Sequence, residues 1–277
     1  MVLRITTLSE NTAGMPGLLA EWGLSVLVET GEAKILLDTG ASISVMHNAP
    51  ILGIDLTTID KIVISHGHYD HTGGLAPVLG QIDREIEVIA HPDMWAKKYT
   101  CVGESRRYIG PPTPRGELEA LGARFKLSRE PVWLSENILT TGEVPMVTGY
   151  EEIEPVMRVK EGNELLPDLL LDDRALIIKT DVGLVVILGC AHRGAINTIR
   201  HAQGITGVEK VHTVIGGTHL LRASEERILL TATALQEMGV QRVGASHCTG
   251  FKASMLLAQQ LGDTFFPNNA GTIITVP

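Results

Sequence analysis

Six consecutive residues, His66-Gly67-His68-Tyr69-Asp70-His71, carry four side chains able to ligate a metal. On an extended segment alternate positions face the same way, so His66 and His68 would point together, whereas a helix would splay them apart. A turn after His68 would bring Asp70 and His71 to face a second position. Gly73-Gly74 lets the backbone fold back, and Leu75 would open a helix with Pro77 in its first turn. Imidazole with carboxylate suits one or two Zn ions, with Mn, Mg or Fe as alternatives. The competing reading is a polar loop whose histidines only form hydrogen bonds.

Three more histidines stand just past apolar runs: His192 in Gly189-Cys190-Ala191-His192, His219 in Gly216-Gly217-Thr218-His219, and His247 in Ser246-His247-Cys248-Thr249-Gly250. The runs 184–188, 211–215 and 241–245 read as strands, and a helical pattern follows each. The first helix spans about 195–202 with Gly204 placed to end it. The second is capped by Ser224 and stopped by Gly239, and the third spans 253–261 and ends at Gly262. Such alternation implies parallel strands with right-handed crossovers, which sets the three histidines on one rim. His192 and His247 are read as metal ligands, and His219 as a ligand or catalytic substrate contact; packing or capping the next helix is the alternative. His91, followed by Pro92, is assigned to support a ligand. Cys190, and less so Cys248, is a candidate ligand, with a small buried residue as the alternative for each. Asp38, at the end of the 34–37 run, either orients a metal-bound imidazole or caps a turn. His47, His201 and His212 are read as ordinary structure.

The elements that must position these groups include paired strands at 24–28 and 34–37 around Gly31, and short strands at 61–65 and 87–90. Between about 97 and 172 the pattern breaks: seven of the thirteen prolines fall there, and this stretch is read as an irregular insertion or lid within a single domain spanning 1–277. From Lys97 to Arg129 eight basic residues (Lys97, Lys98, Arg106, Arg107, Arg115, Arg124, Lys126, Arg129) face three acidic ones, a cationic patch suited to an anionic substrate. Tyr69, Trp95, Tyr99 and Tyr108 could stack a flat heterocycle.

Composition excludes several classes. The 277 residues are 44% apolar, enough for a sizeable core, and the net charge of −9 disfavours nucleic acid as a partner. No apolar run approaches the ~18 residues of a membrane span. Three cysteines and no signal-peptide pattern point to a reducing, cytoplasmic setting, with a homo-oligomer allowed.

The loop 66–74, preceded by Asp38-Thr39-Gly40, resembles the metallo-β-lactamase superfamily. Met46-His47-Asn48-Ala49, Gly189-Cys190-Ala191-His192-Arg193-Gly194, Asn197-Thr198, Gly216-Gly217-Thr218-His219-Leu220 and His247-Cys248-Thr249-Gly250 narrow this to the branch of dihydropterin–ribofuranosylaminobenzene phosphate synthases and their bacterial relatives. The resemblance covers nearly the whole chain. It implies an α/β fold, a four-layer αββα sandwich with a one- or two-metal centre at one rim. His66, His68 and a third histidine would hold the first metal, and Asp70, His71 and His247 the second. Lactamase-type relatives carry a bridging Asp after the strand-end Gly, where Cys190 stands here, and their Pro-Gly-His turn is missing. His192 is therefore the candidate third histidine, and no bridging carboxylate is expected.

The implied activity is transfer on a phosphorylated, pterin-like small molecule with pyrophosphate release, with Gly217, Thr218, His219 and Thr249 contacting substrate and Asp70 and His219 catalytic. The alternatives are a metal-dependent hydrolase, in which Asp70 aids proton transfer, and a non-catalytic pterin- or folate-like ligand-binding protein.

Overall fold

The computed structural model describes residues 3–277. In chain order the strands begin with β1 (Leu3–Ser9), β2 (Ser25–Glu29), β3 (Lys34–Leu37), β4 (Lys61–Val63) and β5 (Ile86–Ala90). The middle of the chain supplies β6 (Lys97–Val102), β7 (Ser105–Tyr108), β8 (Ala123–Leu127), β9 (Val132–Trp133), β10 (Ile138–Thr140), β11 (Met157–Glu161) and β12 (Glu164–Pro167). The last are β13 (Ala175–Thr180), β14 (Gly183–Leu188), β15 (Val211–Gly217), β16 (Arg242–Ser246) and β17 (Ile273–Val276). The helices are α1 (Ser44–Ile51), α2 (Tyr69–Thr72), α3 (Leu75–Ile82), α4 (Arg115–Ala120), α5 (Ala195–Thr206), α6 (Glu225–Glu237) and α7 (Phe251–Leu261).

These strands build a seven-stranded sheet in the order β17-β1-β2-β3-β4-β5-β8 and a six-stranded sheet in the order β16-β15-β14-β13-β10-β9. Strand alternation decides which side chains meet. Val26, Val28, Ile35, Leu37 and Val63 of the first sheet share a core with Leu176, Ile178, Val185 and Ile187 of the second, so the sheets pack face to face. The opposite faces pack on helices. Leu27, Leu36 and Ile62 lie against Val45, Val78 and Leu79 of α1 and α3. Val186 and Val214 lie against Ile199, Leu235 and Leu257 of α5, α6 and α7. Helix, sheet, sheet, helix: this is the αββα sandwich.

Strands β14, β15 and β16 pair in parallel, so their carboxyl ends share one rim. The stretch 97–172 is divided among three sheets. β8 extends the first sheet, β9 and β10 the second, and β6, β7, β11 and β12 alone make a separate four-stranded sheet in the order β12-β11-β6-β7. Helix α5 runs through Gly204 and ends at Gly207, whose φ of 68° supplies the left-handed cap that the sequence had suggested for Gly204. No helix among the described residues is long and apolar enough to cross a membrane.

Candidate metal centre and its cavity

The ligand-rich loop is held by its glycines. A Cβ on Gly73 would lie 2.0 Å from the Ala41 carbonyl oxygen, and one on Gly74 would lie 2.0 Å from that of Thr39. Only bare backbone fits there, so the segment after β3 packs directly on the loop, and the Thr39 N–H donates to the His71 carbonyl at 2.8 Å. His68 is extended, and α2 then turns Asp70 and His71 away from it. On the second half, Ala191, His219 and His247 have φ of 51°, 51° and 54°, and Asp38 across from them 57°. A non-glycine residue in that region costs on the order of 1 kcal/mol, and four of them cluster here because strand ends must release side chains into the rim.

The imidazoles converge. His66 Nε2 lies 2.9 Å from His68 Nδ1 and 3.2 Å from His192 Nε2. Burial, then the neighbouring His71, His68 and His192, holds His66 well below the ordinary histidine range. Burial also drives His192 well down, with His219 next in effect, and takes His68 to about 3. Three neutral, buried rings thus aim nitrogens at a common point. Ligands at ~2.0–2.1 Å around a tetrahedral Zn would stand about 3.3 Å apart, so this triad fits a metal ion.

A second group contains Asp70, His71 and His247, with His247 Nε2 3.4 Å from Asp70 Oδ2. His247 Nε2, which faces Asp70, is buried with no hydrogen-bond partner, as expected of an atom shaped for a metal ion. Burial opposes ionisation of Asp70, but His71 and His247 outweigh it and keep the carboxylate ionised far below its ordinary range. Cys190 Sγ lies 3.1 Å from His71 Nε2, and the thiol groups with His66 and His71 on one side and with His247 and Cys248 on the other. Burial, then Cys248, pushes its titration well up, so in this environment it is a neutral thiol.

Behind the ligands sit their orienting partners. Asp38 Oδ2 meets His71 Nδ1 at 2.7 Å and accepts from Ser65 Oγ at 2.6 Å, while Ser65 Oγ lies 2.9 Å from His66 Nδ1. Both rings are therefore fixed through Nδ1, leaving Nε2 for the centre. Burial disfavours a charged His71, but Asp38 and Asp70 outweigh it and raise its pKa. Glu10 Oε1 accepts from the His247 N–H at 2.7 Å, and Asn11 Oδ1 lies 2.9 Å from His247 Nδ1. Asp172 Oδ2 accepts from the Gly67 N–H at 2.7 Å, and Lys98 Nζ, wholly buried, bonds Asp172 and Asp168 at 2.9 and 3.0 Å.

A cavity of about 150 Å³ opens over the cluster, lined by His68, Asp70, His192 and His219 and walled by Trp22, Tyr69, Arg107, Glu154 and Arg222. His219 packs against His192 with ring centres 4.0 Å apart and planes tilted by 44°, and sets Nδ1 3.4 Å from Glu154 Oε1; burial, then Arg227, brings its pKa down to about 4. A second, more apolar cavity of about 530 Å³ adjoins it, sharing Trp22 and Leu221 and bounded by His247.

Several residues expected at the site lie away from the cavities. Gly217, Thr218 and Thr249 line neither cavity: Thr218 Oγ1 and Thr249 Oγ1 bond each other at 2.9 Å, and bare Gly217 makes room for Cys248, whose sulfur would lie 2.5 Å from a Cβ there. His91 is no partner of the cluster, because its Nδ1 accepts from the Asp93 N–H and its Nε2 meets Glu143 at 3.1 Å. Trp95 packs on Phe125 and Tyr99 on Tyr108, so of the four aromatics only Tyr69 reaches the cavity. Trp22, Glu154, Arg222, Glu10 and Asn11 were not singled out in the sequence. They lie in connections without periodicity, and only tertiary folding brings them to the rim.

A family profile described as "Metallo-beta-lactamase superfamily" matches residues 23–195. The chain is 34% identical, over 98% of its length and 96% of the relative's, to 7,8-dihydropterin-6-methyl-4-(beta-D-ribofuranosyl)-aminobenzene-5'-phosphate synthase of Methanocaldococcus jannaschii. It is 32% identical to an uncharacterized protein of that organism, covering 98% of this chain and all of the other. A solved structure described as a metal-dependent hydrolase of the beta-lactamase superfamily superposes with a TM-score of 0.86 at 30% identity, over 99% of both chains. With the sandwich, the rim histidines and these full-length matches in agreement, the chain belongs to the metallo-β-lactamase superfamily.

Proposed function

We propose that this metal-dependent enzyme acts on a phosphorylated, pterin-like small molecule by transfer chemistry with release of pyrophosphate. The observation that carries the reading is the convergence of two three-ligand groups, drawn from both halves of the chain, at the floor of one cavity. The likeness to the archaeal synthase over nearly the full length supports the choice of substrate class.

In this reading His66, His68 and His192 hold one zinc, and Asp70, His71 and His247 hold another. When bound, the ions polarise a phosphoryl or carbonyl oxygen and offset developing negative charge. The protein's own groups do the rest. Asp70, held ionised, suits a ligand. His219, on the cavity wall with Nδ1 turned to Glu154, is the group placed to exchange a proton with substrate through Nε2. Trp22, on the wall common to both cavities, offers a flat heterocycle a face to stack on, a task the sequence had suggested for Tyr69, Trp95, Tyr99 and Tyr108.

The second reading is hydrolysis, favoured by the solved relative described as a metal-dependent hydrolase. One assay separates the two. Zinc-loaded protein is given pterin diphosphates with and without an aromatic amine acceptor, and pyrophosphate, phosphate and coupled product are followed. Transfer requires the acceptor for pyrophosphate release and yields coupled product. Release without an acceptor supports the hydrolase. No turnover, with a pterin retained through purification, overturns both in favour of a ligand-binding protein.

A further inference from the structure

Of the eight basic residues between Lys97 and Arg129, the structure commits most to tasks away from the cavity. Lys98 is buried between Asp168 and Asp172; Arg115 pairs with Glu119, Arg124 with Glu85, and Arg129 with Asp93 and Glu143. Lys97, Arg106 and Lys126 are exposed and do not line the cavity. Arg107 alone of the eight lines it, and Arg222 lines it from the other half of the chain.

Among the described residues no carboxylate lies within ion-pair distance of either guanidinium, although the cavity holds acidic groups. Asp70 meets His247 and Glu154 meets His219; Arg222 acts on the Glu154 carboxyl through space but makes no ion pair with it. Two guanidinium groups without a direct ion pair beside the ligand cluster raise the local positive potential, and an anionic ligand is the partner that would engage both.

Their backbones are fixed. Arg107 sits on β7 opposite Thr100 of β6, and Thr100 lines the cavity from the same face; Arg106, one residue earlier, projects from the opposite face opposite Cys101. Arg222 lies in a turn pinned by the Leu221 N–H on the Cys248 carbonyl and by the Ala223 N–H on the Leu220 carbonyl. Both side chains are exposed; the Arg107 guanidinium rests over the Tyr69 ring, 5.1 Å from its centre, which holds that arm at the cavity wall, and Arg222 faces it from the other half of the chain.

We propose that Arg107 and Arg222 form a two-armed clamp for a phosphoryl or diphosphoryl group. The clamp would hold the anion at the cavity mouth while the rest of the substrate reaches the histidines. The planar fork of each guanidinium matches pairs of phosphoryl oxygens, which a single lysine could not do. The four-stranded sheet would thereby act as a substrate-selecting element, since it delivers one arm. The inference rests on the reading above only in taking the substrate to be phosphorylated.

The test measures binding of inorganic pyrophosphate, and separately inorganic phosphate, to the zinc-loaded protein by calorimetry. The set comprises Arg107→Gln, Arg222→Gln, the double variant, and Arg106→Gln as a control that removes the same charge from the opposite face. Zinc content and thermal midpoint are checked in each; neither arginine has an ion pair in the fold to lose. Each clamp substitution should weaken pyrophosphate roughly tenfold and the pair about a hundredfold, with phosphate affected less. Arg107→Lys should restore only part of the loss. Arg106→Gln should bind as the parent does. Unchanged binding in the double variant would mean that the ions alone hold the anion and would overturn the clamp, as would an Arg106→Gln effect equal to that of Arg107→Gln, or a parent that binds neither anion at millimolar concentration. Turnover is not the readout, so the clamp can stand where the pterin assignment fails, and the reverse.

Discussion

At the scale of single residues, the centre depends on His66, His68 and His192 being kept unprotonated and on partners that fix which nitrogen faces inward. His192 is contributed by the second half of the chain to a triad otherwise built by the loop, and its Nε2 approaches His66 Nε2 at 3.2 Å. His192→Ala should lower bound zinc by about one equivalent per chain, measured by atomic emission, while leaving the group of Asp70, His71 and His247 in place. Asp38 touches no metal, yet it fixes His71 and, through Ser65, His66. Asp38→Asn should weaken zinc binding at least about tenfold in a chelator competition. The loop was legible in the sequence because its ligands are neighbours there. His192 and His247 were legible through position, each just beyond an apolar run. Glu10 and Asn11 were not, since nothing local marks a residue that will orient a histidine more than two hundred positions later. Thr218 and Thr249, expected to contact substrate, lie away from both cavities with their hydroxyls turned to each other, a pairing across 31 positions that nothing local in the sequence marks.

Elements couple through the buried Lys98. It sits on β6 of the four-stranded sheet and neutralises Asp172, which in turn holds the Gly67 N–H between two of the histidines. Burial would drive Lys98 toward neutrality, but Asp172 and Asp168 outweigh it and raise its pKa, so the ammonium stays charged. Lys98→Met strands two buried carboxylates and should cost roughly 3 kcal/mol in denaturant unfolding. With Asp172→Asn added, the double-mutant cycle should show strong coupling; additive effects would detach the sheet from the loop. The alternation of β14, α5, β15, α6, β16 and α7 was readable because each element repeats one period cleanly. Strands β8, β9 and β10 were hidden among prolines, since they are short and owe their pairing to sheets already formed by other segments. Strand β1, Leu3–Ser9, is buried on both faces and carries threonines, so it shows neither alternation nor a continuous apolar run.

Across the whole molecule, the centre joins residues of the first sheet's loop to residues beyond the second sheet, so a bound ion ties the two halves together. Zinc free at a hundredfold over its Kd should stabilise folding by about 2.7 kcal/mol, seen as a denaturation midpoint that falls on adding chelator. The metal-free protein carries a further dependence on pH. Burial raises Asp173 from its ordinary 3.8 to about 7. The folded state therefore binds this proton more tightly than the unfolded one; the contribution is complete below about pH 4 and is lost as pH rises through 7. Metal-free Asp173→Asn should accordingly gain on the parent in thermal midpoint between pH 5 and pH 8, and a constant difference would refute the assignment. Bound cations nearby should shrink this gain, because they favour the ionised carboxylate.

Strand β17 returns from the far end of the chain to lie antiparallel on β1, Leu3 opposite Val276 and Thr6 opposite Ile273. Asn268, just before it, accepts from Thr7 and donates to Ser246, joining the outer strand to the second sheet. During synthesis, then, β1 waits with an open row of amides until residues 273–276 have been made. Chains stopped short of position 273 should self-associate through that open edge, a liability that disappears once β17 is in place.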